Sequence, residues 1–396
     1  MNLVVRSVRL ADGRTADVHC EGSRIARLVS PPDTEAPRNG GGAELNGSGQ
    51  LLLPGLIIPD LHLDQHATAG STVVDVASSA EHVVRMALVR GVGALRAFAD
   101  VGPALGLTAV EGLLRARERW GGAMTIQIGP FPRWGFDDRR TVDLMDEALR
   151  LGADVVGGFP GIEESAEASE RHIATCFEIA ARRNVPAHLV IDDTAGPSGR
   201  TLAMLAEQTV ERGFAGRVCA SNCIALAFED PEHAGRVIDL VAGARISVVS
   251  NAHVNLIEAG SGPPAAAPRT RTLIRELHRA GVNVALGQGG GDDIHYPWGQ
   301  ADPLEVAFIV SHAVPLAQPE EIRLLLDMVT TNAANAMGLA EHKYPHHLVP
   351  GAPADLMLVK APTWHEALQY RPADRVVIRA GRVVAQSETI TRFSNE

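Results

Sequence analysis

Asp60, His62, Asp64 and His66 crowd the end of one apolar run, "LPGLIIPDLHLDQH" at residues 53–66. Carboxylates and imidazoles are side-chain types that both ligate divalent metals and move protons. Alternate residues of a strand face the same way, so Asp60 and His62 are expected to share a face. With His188 in "VPAHLVID" they make two imidazoles and one carboxylate, a set able to hold zinc or iron with open positions. Without metal the same trio is an acid–base site, because a carboxylate beside a histidine orients and charges the imidazole. Asp64 and His66 are expected to support the loop that follows.

These residues need a scaffold, and the chain supplies a countable one. Strand-like runs occur at "LIIPDLH", "GALRAFAD", "MTIQIGPFP", "ADVVGGFPG", "VPAHLVID", "GRVCASN", "RISVVSN" and "NVALGQG", with helix-like segments between them. Helices stop at glycine in "RGVG", "RLGAD" and "RAGVN", as C-terminal glycine caps do. Eight strand–helix units predict an α/β fold of the TIM (β/α)8 barrel type over residues 56–344. The alternating strands "LVVRSVRLADGRTADVHCEG" and "PADLMLV…DRVVIRAGRVVAQ" predict a small β-sandwich domain from residues 1–55 plus 345–396.

Barrel active sites lie at the C-terminal strand ends. The residues falling there are Asp60, His62, Asp100, Arg133, Trp134, His188, Asn222, Asn251, Gln288, Asp292, Asp293 and His295. Arg133 offers a planar, permanently charged fork for a carboxylate or phosphate, or a salt bridge on a surface loop. Trp134 and Trp298 are expected either to wall a flat ligand or to pack. Asn222 is a neutral hydrogen-bond donor. "GQGGGDD" lacks the Lys-Ser/Thr ending of a phosphate loop and is expected to widen a pocket.

Composition excludes several roles. A net charge of −11 and 21% charged residues argue against nucleic acid or an anionic membrane as partner. No segment reaches the roughly 18 apolar residues of a membrane span, and the N-terminus lacks a signal-peptide core. Cys20, Cys176, Cys219 and Cys223 are scattered without a disulfide framework. A cytoplasmic protein with reduced thiols and a small-molecule substrate is expected. A carbamylated-lysine metal bridge is excluded, since the only lysines are Lys343 and Lys360.

The segments "LLLPGLIIPDLHLD", "LGADVVGGFPGIEE", "VCASN", "GVNVALGQ", "YPWGQADPLEVAFIVSHA", "TTNAANAMGL" and "VPGAPADLMLV" resemble the amidohydrolase superfamily, in its cytosine deaminase-like branch, over nearly the whole chain. In that branch the first segment runs P-G-x-x-x-x-H-x-H-L-D, so Asp60 stands for the first histidine and His62 keeps the second. His188 matches the strand-five histidine. Ile191 stands where the resemblance implies a glutamate, Asn222 where it implies a histidine, Gly289 an aspartate and Arg133 a substrate-reading glutamine. A metal lowers the pKa of bound water to about 7, and the missing aspartate and glutamate would carry that water's proton. Neither Gly289 nor Ile191 titrates, so ordinary cytosine deamination is not expected unless Asp192, Asp193, Asp292 or Asp293 has taken over.

The leading expectation is a hydrolase with an altered site, acting on a C–N bond of a small polar nitrogenous compound, with an anionic group if Arg133 lines the pocket. Asp60, His62 and His188 would transfer protons. As metal ligands they would hold one zinc or iron ion, although the substituted positions weigh toward a metal-free site. Alternatives are a metal-independent isomerase, cyclase or lyase, and a silent homologue acting as a binding partner. The resemblance also implies a homo-oligomer.

Overall fold

The computed structural model describes residues 2–30, 42–64, 70–193, 200–258, 272–290, 296–339 and 348–392. Asp292, Asp293, His295, His66 and Lys343, singled out from the sequence, lie outside the described residues. The fold is mixed α/β. Strands β1 (Asn2–Arg9), β2 (Thr15–Glu21), β3 (Arg24–Val29), β4 (Ala43–Asn46) and β5 (Leu51–Pro54) come first. Eight further strands alternate with helices: β6 (Leu56–His62), β7 (Val92–Asp100), β8 (Thr125–Phe131), β9 (Val156–Gly158), β10 (Ala187–Ile191), β11 (Val218–Asn222), β12 (Ser247–Ser250) and β13 (Val284–Leu286). Strands β14 (Leu356–Val359), β15 (Arg375–Arg379) and β16 (Arg382–Ser387) close the order.

The eight middle strands are the eight runs expected from the sequence. They are parallel and pair in chain order, β6-β7-β8 in one ladder and β9 to β13 in another. Backbone bonds reach across both gaps between the ladders. Asp154 N–H donates to Ile128 O at 2.7 Å, while Gln288 N–H donates to Asp60 O at 2.9 Å and His62 N–H to Gly289 O at 2.8 Å. Strands buried on both faces carry continuous apolar runs instead of alternation, and all nine residues of β7 are buried. The helices between them are amphipathic. In Arg139–Arg150 the buried residues are Thr141, Met145, Ala148 and Leu149, a helical stripe. Its start is fixed by Asp138, whose carboxylate accepts the Arg140 N–H at 2.9 Å. The helix Val73–Val89 ends where "RGVG" was expected to stop it. Gly91 has φ +89°, and a Cβ there would overlap Met357.

Both chain ends contribute to one eight-stranded sheet, ordered β16-β15-β14-β5-β1-β2-β3 with β4 on β1. They meet at the antiparallel pair β14–β5, with Leu356 opposite Pro54 and Val359 opposite Leu51. Leu3, Val5, Val18, Ile25, Leu52, Leu356, Leu358 and Ile378 form their apolar cluster.

A buried ion pair pins this sheet to the strand–helix units. Arg375 is 1% exposed and donates to both Asp302 oxygens at 3.0 and 2.7 Å and to Arg90 O at 2.5 Å. Asp302 also caps the helix Pro303–Ala313 by accepting the Leu304 N–H. Nearer the strand ends, His172 Nε2 accepts the Phe159 N–H at 3.0 Å, so its Nδ1 carries the proton donated to Glu163 at 2.7 Å. That pair holds the loop after β9.

Removing one partner of a buried pair leaves an uncompensated charge, which costs about 3–5 kcal/mol. Arg375→Ala should lose that much in urea denaturation; a loss near zero would show that the pair does not tie the sheet down. The Glu163 carboxyl is held below its ordinary value, chiefly by the His172 hydrogen bond and against the effect of burial. A depressed folded value stabilises the native state above the unfolded value and is lost as pH falls through the folded one. The stability gap between wild type and Glu163→Gln should therefore be widest near pH 7 and close as pH falls below the ordinary glutamate range. A gap independent of pH would refute this.

Candidate active site

The C-terminal ends of the parallel strands open into a cavity of about 350 Å³. Asp60 and His62 reach it from β6, Arg133 from the turn after β8, Asp193 from beyond β10, and Asn222 and Asn251 from β11 and the end of β12. Phe131, Phe159, Val190 and Val254 supply its apolar walls, and Gly289 and Gly290 line it beside β6. Asp60 and His62 both face the cavity, as alternation on one strand requires. Gly289 has φ +62°, and a Cβ there would press on Val254 and Asn251 at 3.2–3.3 Å, so the position tolerates no aspartate without rearrangement. Ile191 is fully buried in the main apolar cluster.

Beneath the cavity a polar chain runs through the interior. Arg96, in the middle of β7, is 1% exposed and donates from Nε and Nη2 to Gln127 Oε1 at 3.0 and 2.9 Å. Its Nη1 lies 3.0 Å from His188 Nδ1. His188 Nε2 lies 2.5 Å from Ser221 Oγ, and Ser221 donates its hydroxyl to Asp60 Oδ2. Asp60 Oδ2 is also 3.5 Å from His188 Nε2, while Asp60 Oδ1 takes no hydrogen bond of ordinary geometry. Burial pushes the Asp60 carboxyl above its ordinary value, opposed by Ser221, Asn251 and the Arg96 charge. Burial pushes His188 well below its ordinary value, and Arg96 and His62 push it the same way.

Beside His62 stands a second, buried group. Ligand atoms of His62, Asp64 and Asp100 all lie within 4.8 Å of one another. Asp64 Oδ2 accepts the Asp100 N–H, and Asp100 Oδ2 accepts Arg133 Nε–H at 2.5 Å. Oδ1 of each carboxyl is buried without a hydrogen bond. Burial and the neighbouring Asp100 hold Asp64 well above the ordinary carboxyl value; burial raises Asp100, against Arg133.

The expected metal trio is not what the structure assembles. Both His188 nitrogens are engaged, one of them against a guanidinium, so His188 does not fit as a ligand. Among the described residues the group with divalent-metal donor types is His62, Asp64 and Asp100. Arg133 lines the cavity and also pairs with Asp100, a buried carboxylate rather than a partner on a surface loop. Trp134 and Trp298 do not wall the cavity: they are 55% and 65% exposed, and phenylalanines take that place. His188 lies behind Asp60 instead of in the lining, and Gln288 is buried with its backbone N–H on Asp60 O. Asn251 Nδ2 donates to Asn222 Oδ1 at 2.9 Å, which turns the Asn222 amide away from a random orientation. Asp192 is spent on the helix Thr201–Glu211, accepting the Thr201 N–H at 2.9 Å, its hydroxyl at 2.5 Å and the Leu202 N–H at 3.2 Å. Its neighbour Asp193 faces the cavity.

Arg96 and Ser221 are the residues that sequence reasoning missed. Arg96 left one signal, a charge in the centre of the apolar run "GALRAFAD", where an unpaired guanidinium would be prohibitively costly. Ser221 in "VCASN" left none.

A model of the amidohydrolase family matches residues 12–386. A pterin deaminase of Rhizobium rhizogenes is 30% identical over 323 residues, 81% of this chain and 72% of that protein. An N-isopropylammelide isopropyl amidohydrolase of a Pseudomonas species is 24% identical over 421 residues, 98% of each chain. The structure of a 5-methylcytosine deaminase from Klebsiella pneumoniae liganded with phosphonocytosine superposes with a TM-score of 0.90 at 24% identity, covering 99% of this chain and 100% of that one. This likeness gives the chain a TIM-barrel-type fold. With a family match spanning nearly its whole length, the chain belongs to the amidohydrolase family.

Proposed function

We propose that the protein is a hydrolase of non-peptide C–N bonds, acting on a flat nitrogen heterocycle that bears an exocyclic amine. The observation that carries this reading is Asp60: a buried carboxylate lining the cavity, with Oδ2 held by Ser221, in a cavity that the stacked rings of Phe131 and Phe159 also line. A cavity of about 350 Å³ suits a ligand of one or two rings. The names of the pterin deaminase and isopropylammelide amidohydrolase relatives point to the same substrate class.

In this reading Asp60 Oδ1 takes a proton from water, and the water oxygen adds to the ring carbon that bears the amine. A carboxyl raised by burial is a better base near neutral pH than an ordinary one. Asp60 passes that proton, through His62 in the cavity lining, to the departing nitrogen, which leaves as ammonia or an amine, and both side chains end in their starting state. Asn222 donates to a ring carbonyl or nitrogen, and Arg133 faces an anionic or acceptor edge. A zinc or iron ion would find ligands in His62, Asp64 and Asp100 and would supply Lewis acidity there; His62 would then leave the proton relay, and Asp60 alone would move the proton. The proton transfers above use only the chain's own groups. We further propose that β6 to β13 close into a barrel between residues 56 and 344. The terminal sheet, from residues 1–55 plus 345–396, would then fold over its own core as a sandwich.

Ile191 and Gly289 favour a second reading. The two positions where the resemblance implies titrating groups are a buried aliphatic and a glycine, which suits isomerisation, cyclisation or elimination that needs no activated water.

Oxygen-18 water separates the two. With pterin, cytosine and amino-triazine substrates, a hydrolase releases ammonia or amine and places one solvent oxygen in the product. Asp60→Asn should then lower kcat/KM by about 10²–10⁴-fold. Turnover without label would retire hydrolysis.

A further inference from the structure

We infer that Arg96 is the resident cation of this site: it locks His188 as the Nε2–H tautomer, so that His188 positions Asp60 through Ser221 instead of ligating a metal. The direction of the chain follows from which atoms can donate. A guanidinium donates from every nitrogen and accepts nowhere. Gln127 Nε2 donates to Met337 O at 3.0 Å, which turns Gln127 Oε1 toward Arg96 Nε and Nη2. So held, Arg96 Nη1 points its N–H at His188 Nδ1, 3.0 Å away. Nδ1 must therefore be the unprotonated nitrogen, and the ring proton sits on Nε2. Nε2–H then donates to Ser221 Oγ, and the Ser221 hydroxyl hydrogen is left for Asp60 Oδ2.

All four members are buried, and the chain begins on a fixed positive charge and ends on a carboxylate. A buried carboxylate needs a compensating charge or hydrogen bonds, and this arrangement delivers both. It also removes His188 from metal chemistry. One nitrogen spends its lone pair on a guanidinium and the other carries a proton, whereas a metal needs a free imidazole lone pair. A divalent ion next to the Arg96 charge would meet repulsion as well. Arg96 and His188 are thus positioning residues for Asp60, and the inference holds whatever the substrate is.

The test is nitrogen-15 NMR of histidine-labelled protein at pH 7, before and after one equivalent of zinc. His188 is assigned by the resonance lost in His188→Gln. Should that variant fail to fold, Arg96→Lys assigns it as the ring whose two nitrogens shift. The expected result is a pyridine-type Nδ1 and a pyrrole-type Nε2, both unmoved by zinc, whether or not His62 responds. A protonated Nδ1, or His188 nitrogens that move to metal-bound positions with zinc retained through dialysis, would overturn the inference.

Discussion

A carboxylate 1% exposed at the end of an apolar strand cannot stay charged by itself, and the interior around Asp60 is arranged to answer that requirement. The answer spans five strands. Asp60 sits on β6, Arg96 on β7, His188 on β10 and Ser221 on β11, with Gln127 on β8 bracing the guanidinium. Each strand must hold its register for the chain of donors to stay connected, because a slip of one residue would turn these side chains to the opposite face. The fixed parallel pairing, with His188 beside Cys219 and Leu189 beside Ala220, is what sets Ser221 against His188.

The cavity above this network separates its tasks. Asp60 lines it with one oxygen held by Ser221, and Asn251 orients Asn222 in the same lining. The aromatic side is equally constrained: Phe131 stacks edge-on to His62 at 4.8 Å and 6.2 Å from Phe159, whose own backbone is held by His172. Hydrogen bonding on one wall and ring faces on the other are what a flat heterocycle needs. Arg133 belongs to both, bonded to Asp100 while its guanidinium lies 5.7 Å from the Phe131 ring centre. The ion pair Arg375–Asp302 plays a different part. It fastens the terminal sheet behind α/β units whose chemistry lies at the opposite, C-terminal strand ends.

What the sequence by itself determined was the part governed by local repetition. Eight apolar runs alternating with amphipathic helices, and glycine at the helix ends, follow from periodicity and backbone sterics, so strands β6 to β13 could be counted before any contact was known. Asp60, His62, Arg133 and Asn222 could be found because strand ends in such a fold are where polar side chains meet. The tertiary structure alone decided their partners. Asp192 and Asp193 are adjacent and chemically identical, yet one caps a helix and the other faces the cavity. Trp134 and Trp298 carry the strongest aromatic signal and stand in solvent, while ordinary phenylalanines make the walls. His188, a candidate metal ligand by its sequence position, has Arg96, 92 residues earlier, against its Nδ1. Periodicity is a property of neighbours along the chain. Charge compensation depends on distance in space, and only packing brings a guanidinium, an imidazole, a hydroxyl and a carboxylate into one line.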